Sequence, residues 1–128
     1  MKVLIIDDEE DIRSIASLCL SRMGGFEVSE APDGASALAL ARELDPDAIL
    51  LDVAMPEMDG PATLAALRAQ PETAASIVIF LTAKVLGSEV ERLLELGAQA
   101  VLAKPFDPLT LSADVERVIT RHRGRRAG

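Results

Sequence analysis

Short apolar runs that stop at a charged or hydroxyl side chain restrict most strongly what this chain can fold into. There are four of them: residues 3–6 before Asp7 and Asp8, 49–51 before Asp52, 77–81 before Thr82, and 100–103 before Lys104. Continuous apolar runs of this length are typical of buried β-strands. A charge beside a core costs several kcal/mol unless it is paired, so each of these side chains is expected to find a partner elsewhere in the chain.

Segments with helical spacing of apolar residues separate the runs. There are five: Ile12, Ile15, Ala16, Cys19, Leu20 and Met23; Ala37, Leu38, Ala41 and Leu44; Leu64 and Leu67; Val90, Leu93, Leu94 and Gly97; and Leu111, Val115, Val118 and Ile119. Residues 26–30 alternate apolar with polar, which favours a further strand at a sheet edge. Five strands alternating with five helices predict a doubly wound α/β fold, a flavodoxin-like three-layer sandwich around a parallel sheet. The edge character of the second strand favours the order 2-1-3-4-5.

Capping residues predict where several helices begin. Asp33 is expected to cap the second helix. Ser88 with Glu91 has the form of a capping box for the fourth helix. Asp107 followed by Pro108 is typical of the start of a helix, here the last one.

Length and charge narrow the functional classes. A chain of 128 residues can bury one ordinary core, and with Cys19 as its single cysteine neither an internal disulfide nor a thiolate metal cluster is expected. The net charge of −8 argues against nucleic-acid binding, because a phosphate backbone repels such a surface. No apolar run reaches the roughly 18 residues of a membrane span, and the sequence begins without a signal peptide, so we expect a cytoplasmic protein. Residues 1–120 are interpreted as one domain and residues 121–128 as a basic tail.

The polar strand ends predict a site for phosphoryl transfer. In an open parallel sheet, ligands bind at the carboxyl ends of the strands where the strand order reverses, which here lies between strands one and three. Asp7, Asp8 and Asp52 converge there, and crowded carboxylates favour Mg²⁺, or the similar ion Mn²⁺. Asp52 is the candidate nucleophile, whereas Asp7 and Asp8 are candidate metal ligands. The Lys104 ammonium and the Thr82 hydroxyl are candidates for contacting phosphoryl oxygens.

The sequence resembles, over its whole length, the receiver domains of bacterial two-component response regulators, in particular the single-domain chemotaxis type. The resemblance rests on four motifs: Ile6-Asp7-Asp8-Glu9; Asp52 with Met55-Pro56 and Met58-Asp59-Gly60; Leu81-Thr82-Ala83; and Ala103-Lys104-Pro105-Phe106. It implies that Asp52 accepts a phosphoryl group, with Mg²⁺, from a histidine kinase, a histidine phosphotransfer protein or a small phosphodonor.

Further expectations come from the resemblance alone. It implies that the backbone carbonyl of Ala54 contacts the metal and that the Lys104–Pro105 peptide bond is cis. It also implies that Thr82 moves toward the phosphoryl group. The surface of the fourth helix, fifth strand and fifth helix is then expected to change its contacts with a downstream protein.

Three positions, Val101, Ala54 and Lys84, bear on how the protein signals and how it loses its phosphoryl group. Val101 stands where receivers usually have an aromatic side chain, and a stiff β-branched residue has no large ring to turn inward. We therefore expect the loop carrying Thr82, together with the fourth helix, to carry most of the signal. In the alternative, the protein is a phosphoryl relay or sink without its own output. The resemblance implies that Ala54 and Lys84 tune the loss of the phosphoryl group to water. Ala54 is expected to leave room for water, and Lys84 either holds phosphoryl oxygens or is only a solvated loop lysine.

The sequence favours a signalling module that turns over no metabolite over two other functions. A haloacid-dehalogenase-like phosphatase needs a second acid two residues after its nucleophile, where Ala54 stands. A flavodoxin-like cofactor carrier needs a phosphate loop and aromatic side chains over the flavin, and the chain has no Trp or Tyr.

The arginine-rich tail is interpreted as solvated side chains whose positive charge interacts favourably with the dipole at a helix C-terminus. A tether to an acidic partner, or a linker to an output domain, are alternatives for that tail.

Overall fold

The computed structural model describes the backbone of residues 1–127 and the side chains of residues 1–123. Within that range the chain alternates five strands with five helices: β1 (Lys2–Ile6), α1 (Glu10–Gly24), β2 (Glu27–Ala31), α2 (Gly34–Leu44), β3 (Ala48–Asp52), α3 (Gly60–Ala69), β4 (Val78–Thr82), α4 (Gly87–Glu95), β5 (Ala100–Ala103) and α5 (Leu111–Ala127). All strand pairs are parallel, in the order β2-β1-β3-β4-β5. The predicted fold class and strand order are confirmed.

Alternate residues of the central strands point to the two faces of the sheet and form two cores. One core lies under α1 and α5 and contains Ile5, Leu50 and Ile79. The other lies under α2, α3 and α4 and contains Leu51 and Phe80. Each fully buried Leu or Ile contributes about 1.5–3 kcal/mol to the hydrophobic stabilisation. These two cores hold β3 and β4 rigidly between helical layers, with both strands buried along their whole length.

The edge position predicted for the second strand is correct. Most residues of β2 are exposed or half-buried, and β2 pairs only with β1. The opposite edge is β5, whose residues are likewise only partly covered. The carboxyl ends of β1, β3 and β4 therefore lie in the interior of the sheet.

Three apolar residues assigned to inner helix faces are instead exposed. Ile15 and Met23 of α1 are 46% and 52% exposed, and Leu94 of α4 is 42% exposed. The buried stripe of α1 is confined to Ala16, Cys19 and Leu20. In α4 the one residue classed as buried is Leu93. The helical spacing located the buried face of each helix correctly but overestimated how many residues that face buries. The reason is that each of these helices touches the sheet along one narrow line.

The predicted caps agree with the structure in part. The Asp33 carboxylate accepts from the Ser36 amide at 2.8 Å, as expected for the cap of α2. The capping box at Ser88 is wrong, because α4 begins at Gly87, two residues before the start that a Ser88 cap implies, and its N-cap, Leu86, makes no side-chain hydrogen bond. Asp107 accepts from the Leu109 amide at 2.9 Å, but it caps a turn, and α5 itself begins at Leu111.

The C-terminal residues continue the last helix. Because α5 extends to Ala127, the backbone of residues 121–127 is helical, and the expected division between domain and tail falls within this helix. Arg123 forms an ion pair with Asp47 below the sheet. The side chains of Arg125 and Arg126, part of the predicted basic tail, lie outside the described residues, so the role of the tail stays a prediction. No helix in the described part of the chain is long and apolar enough to cross a bilayer.

Candidate functional site

Strand register brings the polar strand ends to one edge of the sheet. Ile6 pairs with Leu51, so Asp7 and Asp52 follow neighbouring positions of β1 and β3. Asp52 pairs with Leu81, the residue before Thr82. Thr82 in turn pairs with Ala103, the residue before Lys104. The four strands thus place these side chains side by side at their carboxyl ends.

Three carboxylates form the centre of this cluster. One oxygen from each of Asp7, Asp8 and Asp52 lies within 4.8 Å of the others. Asp7 is fully buried and Asp52 is 3% exposed, whereas Asp8 faces solvent. The expected convergence of these acids is confirmed, and the repulsion among them is a physical reason for a cation to bind there.

Lys104 supplies positive charge to the buried acids. Its Nζ donates to Asp7 Oδ2 at 3.0 Å and to Glu9 Oε1 at 3.1 Å. The same Nζ lies 3.2 Å from Asp52 Oδ2. Burial acts to lower the pKa of Lys104, but the hydrogen bonds to Asp7 and Glu9 and the charge of Asp52 raise it above its usual value. The ammonium is therefore fully charged at any physiological pH.

The Asp7 carboxylate is held from two sides. Its Oδ1 accepts from the Glu9 backbone amide at 2.9 Å, and its Oδ2 accepts from Lys104. Arg13 donates from Nη1 to the backbone carbonyl of Asp7 at 2.7 Å and also pairs with Glu30. These contacts fix the end of β1, which is why a fully buried carboxylate is tolerated there.

Asp52 is less well satisfied than Asp7. Its Oδ2 is buried, and within the described part of the chain it has no hydrogen-bond partner. The Lys104 contact at 3.2 Å is an ion pair without hydrogen-bond geometry. Burial, followed by the nearby charge of Asp7, raises the pKa of Asp52 to about 6, although Lys104 opposes the shift. A buried carboxylate oxygen with free lone pairs is available to a metal ion or an electrophile.

These residues fit a hard divalent cation. Carboxylate oxygens are the ligands that Mg²⁺ takes while retaining several waters, and the exposed side of Asp8 leaves the cluster open to solvent. The bare Asp52 oxygen is a position that a cation can satisfy. Asp7, Asp8 and Asp52 are the side chains that can hold it.

The comparison with known families agrees with this geometry. Residues 3–116 match the family described as the response regulator receiver domain. The chain belongs to this family. The Lys104–Pro105 peptide bond of this receiver is cis, as the resemblance implied.

Relatives of two lengths resemble this receiver. It is 42% identical over 122 residues to a probable transcriptional regulator, ycf27, of Galdieria sulphuraria, covering 94% of this chain and 46% of that protein. It is 36% identical over 118 residues to a probable chemotaxis protein CheY of Rhizobium etli, covering 92% of each. The crystallised chemotaxis response regulator CheY4 of Vibrio cholerae matches with a TM-score of 0.84 at 37% identity, covering 91% of this chain and 97% of that chain. The receiver thus spans about half the length of curated relatives such as the Galdieria protein.

The remaining predicted site residues surround the acids. Thr82 is buried at the end of β4, and its Oγ1 accepts from the Lys84 amide at 3.0 Å. Ala54 and the side chain of Lys84 are exposed beside Asp52. Val101 is half-buried on β5 and packs against the core that contains Phe80 and Leu93. Val101 therefore lies on the edge strand with its side chain half-buried against this core, and its role in switching stays a prediction.

The loop after β3 is folded back onto the strand that carries Asp52. The Gly60 amide donates to the Val53 carbonyl at 2.8 Å, and the Val53 amide donates to the Leu81 carbonyl at 3.1 Å. Asp59 caps α3 by accepting from the Ala62 amide at 2.9 Å. These bonds fix the direction in which the Asp52 side chain leaves the sheet.

A cleft of about 940 Å³ opens beside Asp52 and extends toward α4. Sequence reasoning missed four of the charged side chains that line it: Glu9, Asp59, Glu89 and Arg92. Arg92 pairs with Glu89 at 2.8 Å, three residues away on α4. The spacing of that pair is visible in the sequence, but its place in the cleft depends on how α4 packs. Glu9 directly follows the two predicted metal ligands, and its contact with Lys104 spans 95 residues.

Proposed function

We propose that this receiver is a response regulator whose Asp52 accepts a phosphoryl group from a histidine kinase or a histidine phosphotransfer protein. One observation carries the proposal: Asp52 Oδ2 is buried among two further acids and the Lys104 ammonium, and no side chain or amide of the described residues forms a hydrogen bond with it. An ordinary capping or surface aspartate has water or backbone amides as partners. Asp52, which lines the cleft, keeps one buried oxygen that has no such partner among the described residues.

The reaction is an in-line displacement at phosphorus. A lone pair of the Asp52 carboxylate forms the new oxygen–phosphorus bond, and the phosphorus–nitrogen bond of the donor breaks, its electron pair remaining on the donor imidazole. The Lys104 ammonium turns from the carboxylates to a phosphoryl oxygen, because both are anionic acceptors within its reach. Asp7, Asp8 and Asp52, with the backbone carbonyl of Ala54, would hold Mg²⁺, which supplies further charge neutralisation when bound. Mn²⁺ suits the same oxygen ligands.

Thr82 supplies the link between chemistry and output. Its hydroxyl accepts from the Lys84 amide, so its own proton is free to be donated to a phosphoryl oxygen. Movement of the Thr82 side chain toward the phosphoryl group would pull on the loop that leads to α4. This helix is loosely attached, because Leu93 is its one buried side chain. We propose that the loop and α4 carry most of the signal, with the surface of α4, β5 and α5 as the contact for a downstream protein. Val101 adds little, since its branched side chain has one preferred torsion in the core.

Backbone chemical shifts with and without a beryllofluoride phosphoryl mimic test this part of the proposal. We expect the largest changes in residues 82–97. Unchanged shifts there, with the mimic bound, would favour a phosphoryl relay or sink without its own output.

We further propose that the protein acts alone, as a single-domain regulator in the cytoplasm. The near-complete coverage of the Rhizobium chemotaxis relative supports this reading. The half-length coverage of the transcriptional regulators supports the alternative, the receiver part of a larger regulator. In either case the acidic surface disfavours nucleic acid as a partner of this domain itself.

Mass spectrometry after incubation with acetyl phosphate and Mg²⁺ tests the central proposal. We expect a single phosphoryl adduct in the native protein and in Asp11→Asn, an exposed control on α1, but none in Asp52→Asn. An adduct that persists in Asp52→Asn would reject the assignment. Rapid turnover of many phosphate esters would indicate a phosphatase instead, and a yellow purified protein would indicate a flavin carrier.

A further inference from the structure

Glu9 stands at the N-cap of α1 but does not act as a cap. Its backbone is extended, and its carboxylate makes no hydrogen bond to the first turn of the helix. The side chain instead reaches across the site and accepts from Lys104 Nζ at 3.1 Å. It does so although it is 60% exposed and free to be hydrated.

The contact determines where the Lys104 protons go. An ammonium group has three donors and no acceptor. Two of the three are directed to Asp7 Oδ2 and Glu9 Oε1. Within the described part of the chain, Asp52 Oδ2 receives no hydrogen bond and contacts Nζ at 3.2 Å as an ion pair. Glu9 therefore shares the ammonium with Asp52 and takes one of the hydrogen bonds that Asp52 could otherwise accept.

The way in which Glu9 and Asp52 share Lys104 affects the reactivity of the Asp52 carboxylate as a nucleophile. A hydrogen bond donated to a carboxylate stabilises its charge and withdraws the lone pair that would attack phosphorus. Resting on the proposed function, we propose that Glu9 is a positioning residue that holds the Lys104 ammonium in an ion pair with Asp52, without a hydrogen bond to it, until a phosphoryl group arrives. It then releases Lys104 to the phosphoryl oxygens. Because the Glu9 side chain is largely exposed, water can replace Lys104 as its partner at that moment.

The other charged groups near Lys104 do not take over this task. Asp7 is bound to Lys104 through the oxygen not used by the Glu9 amide, so it is already engaged. The Arg13 guanidinium is bound to the Asp7 carbonyl and to Glu30. Without the Glu9 carboxylate, Asp52 Oδ2 lies 3.2 Å from Nζ and can accept the N–H that Glu9 no longer takes.

Phosphorylation rates of Glu9 variants test the inference. We would compare Glu9→Ala with Glu10→Ala, which removes the same charge from the next residue, also exposed. With phosphoramidate as donor and Mg²⁺ at a concentration where the rate no longer depends on it, Glu9→Ala is expected to be about tenfold slower than Glu10→Ala, the effect of one charged hydrogen bond. Glu9→Gln keeps an acceptor oxygen and is expected to recover part of the rate. The Lys104 ammonium signal in a ¹H–¹⁵N spectrum should shift in Glu9→Ala and stay in place in Glu10→Ala.

Several outcomes would overturn the inference. Equal rates for the two alanine variants would mean that Glu9 acts only as a surface charge. A faster Glu9→Ala would mean that it merely repels the donor. Recovery of Glu9→Ala by excess Mg²⁺ would make Glu9 a metal ligand. Failure of the native protein to form any adduct would instead reject the proposed function, so the two failures are distinguishable.

Discussion

Lys104 Nζ lies 3.2 Å from Asp52 Oδ2, and this ion pair only partly offsets the burial of the Asp52 carboxylate. Desolvation and the neighbouring Asp7 charge together outweigh it, so the pKa of Asp52 is raised to about 6. The ionised Asp52 carboxylate of the resting site therefore lowers the free energy of unfolding at neutral pH. A cation or a phosphoryl group relieves that cost.

The first prediction concerns stability as a function of pH in the absence of metal. A carboxyl whose folded pKa lies above its unfolded value of 3.8 binds more protons in the native state between those two values. The free energy of unfolding therefore falls as pH rises from about 4 to about 6. Asp52→Asn lacks this fall and should be more stable than the native protein by about 1 to 3 kcal/mol at pH 7.5. Urea unfolding at several pH values measures the difference, which should vanish near pH 4.

The matched control for that series is Asp11→Asn, which removes an exposed carboxylate from α1. Its stability difference from the native protein at pH 7.5 should be small, because it removes an exposed charge. If Asp52→Asn were no more stable than Asp11→Asn at that pH, the carboxylate of Asp52 would not be destabilised by its surroundings.

The second prediction concerns the effect of Mg²⁺ on unfolding. A ligand that binds only the native state stabilises by about 1.4 kcal/mol when its concentration is tenfold above Kd. This gain should appear in the native protein and in Asp11→Asn, and should be largely lost in Asp7→Asn and Asp52→Asn. Thermal unfolding with and without Mg²⁺ measures it. If Mg²⁺ still stabilised both Asp7→Asn and Asp52→Asn to the same extent, the ion would bind at another site.

The third prediction concerns Arg68, which ties α3 to the start of β4 and to the turn before β5. Its guanidinium donates to the carbonyls of Ala74, Ser76 and Gly97 and to Gln99 Oε1, at 2.7 to 3.2 Å. Arg68→Ala leaves these acceptors without their donor and should cost about 2 to 4 kcal/mol in urea unfolding. Arg68→Lys should recover only part, because a single ammonium cannot span the same acceptors.

Arg117→Ala provides the comparison for Arg68. Arg117 pairs with Asp114 on the exposed face of α5, a kind of ion pair that contributes about 0.5 kcal/mol or less. An Arg68→Ala protein no less stable than Arg117→Ala would show that the four hydrogen bonds do not hold this end of the sheet.

The sequence predicted the sheet and the members of the site because both depend on local patterns. A strand that ends at Asp52 and one that ends at Thr82 must bring those residues together once the strands are parallel and adjacent. The start of α4 at Gly87, two residues before the one implied by the capping motif at Ser88, was not predictable from that motif, since the helix is held mainly through Leu93. The exposure of Leu94 has the same origin.

Contacts between distant residues were not predictable in this way. Arg68 reaches Gln99 across 31 residues, and Glu9 reaches Lys104 across 95. Nothing in the local sequence around Arg68 or Glu9 distinguishes them from solvated surface charges. Their partners are assigned by the packing of α3 on the sheet, and by the contact across the site between the segments that follow β1 and β5.

The last prediction concerns the close approach of α3 to the strand that carries Asp52. A Cβ added at Gly60 would lie 2.5 Å from the Asp52 carbonyl oxygen and 2.8 Å from Val53 Cα, both backbone atoms that cannot turn aside. Gly60→Ala should therefore displace the end of β3, cost about 1 to 3 kcal/mol, and slow phosphorylation by acetyl phosphate. Gly87→Ala is the control, since nothing lies within 4 Å of its added Cβ, and it should be neutral or stabilising by up to about 1 kcal/mol. Equal stability and equal rates in the two variants would mean that the end of β3 tolerates displacement, and that Asp52 does not depend on Gly60 for its position.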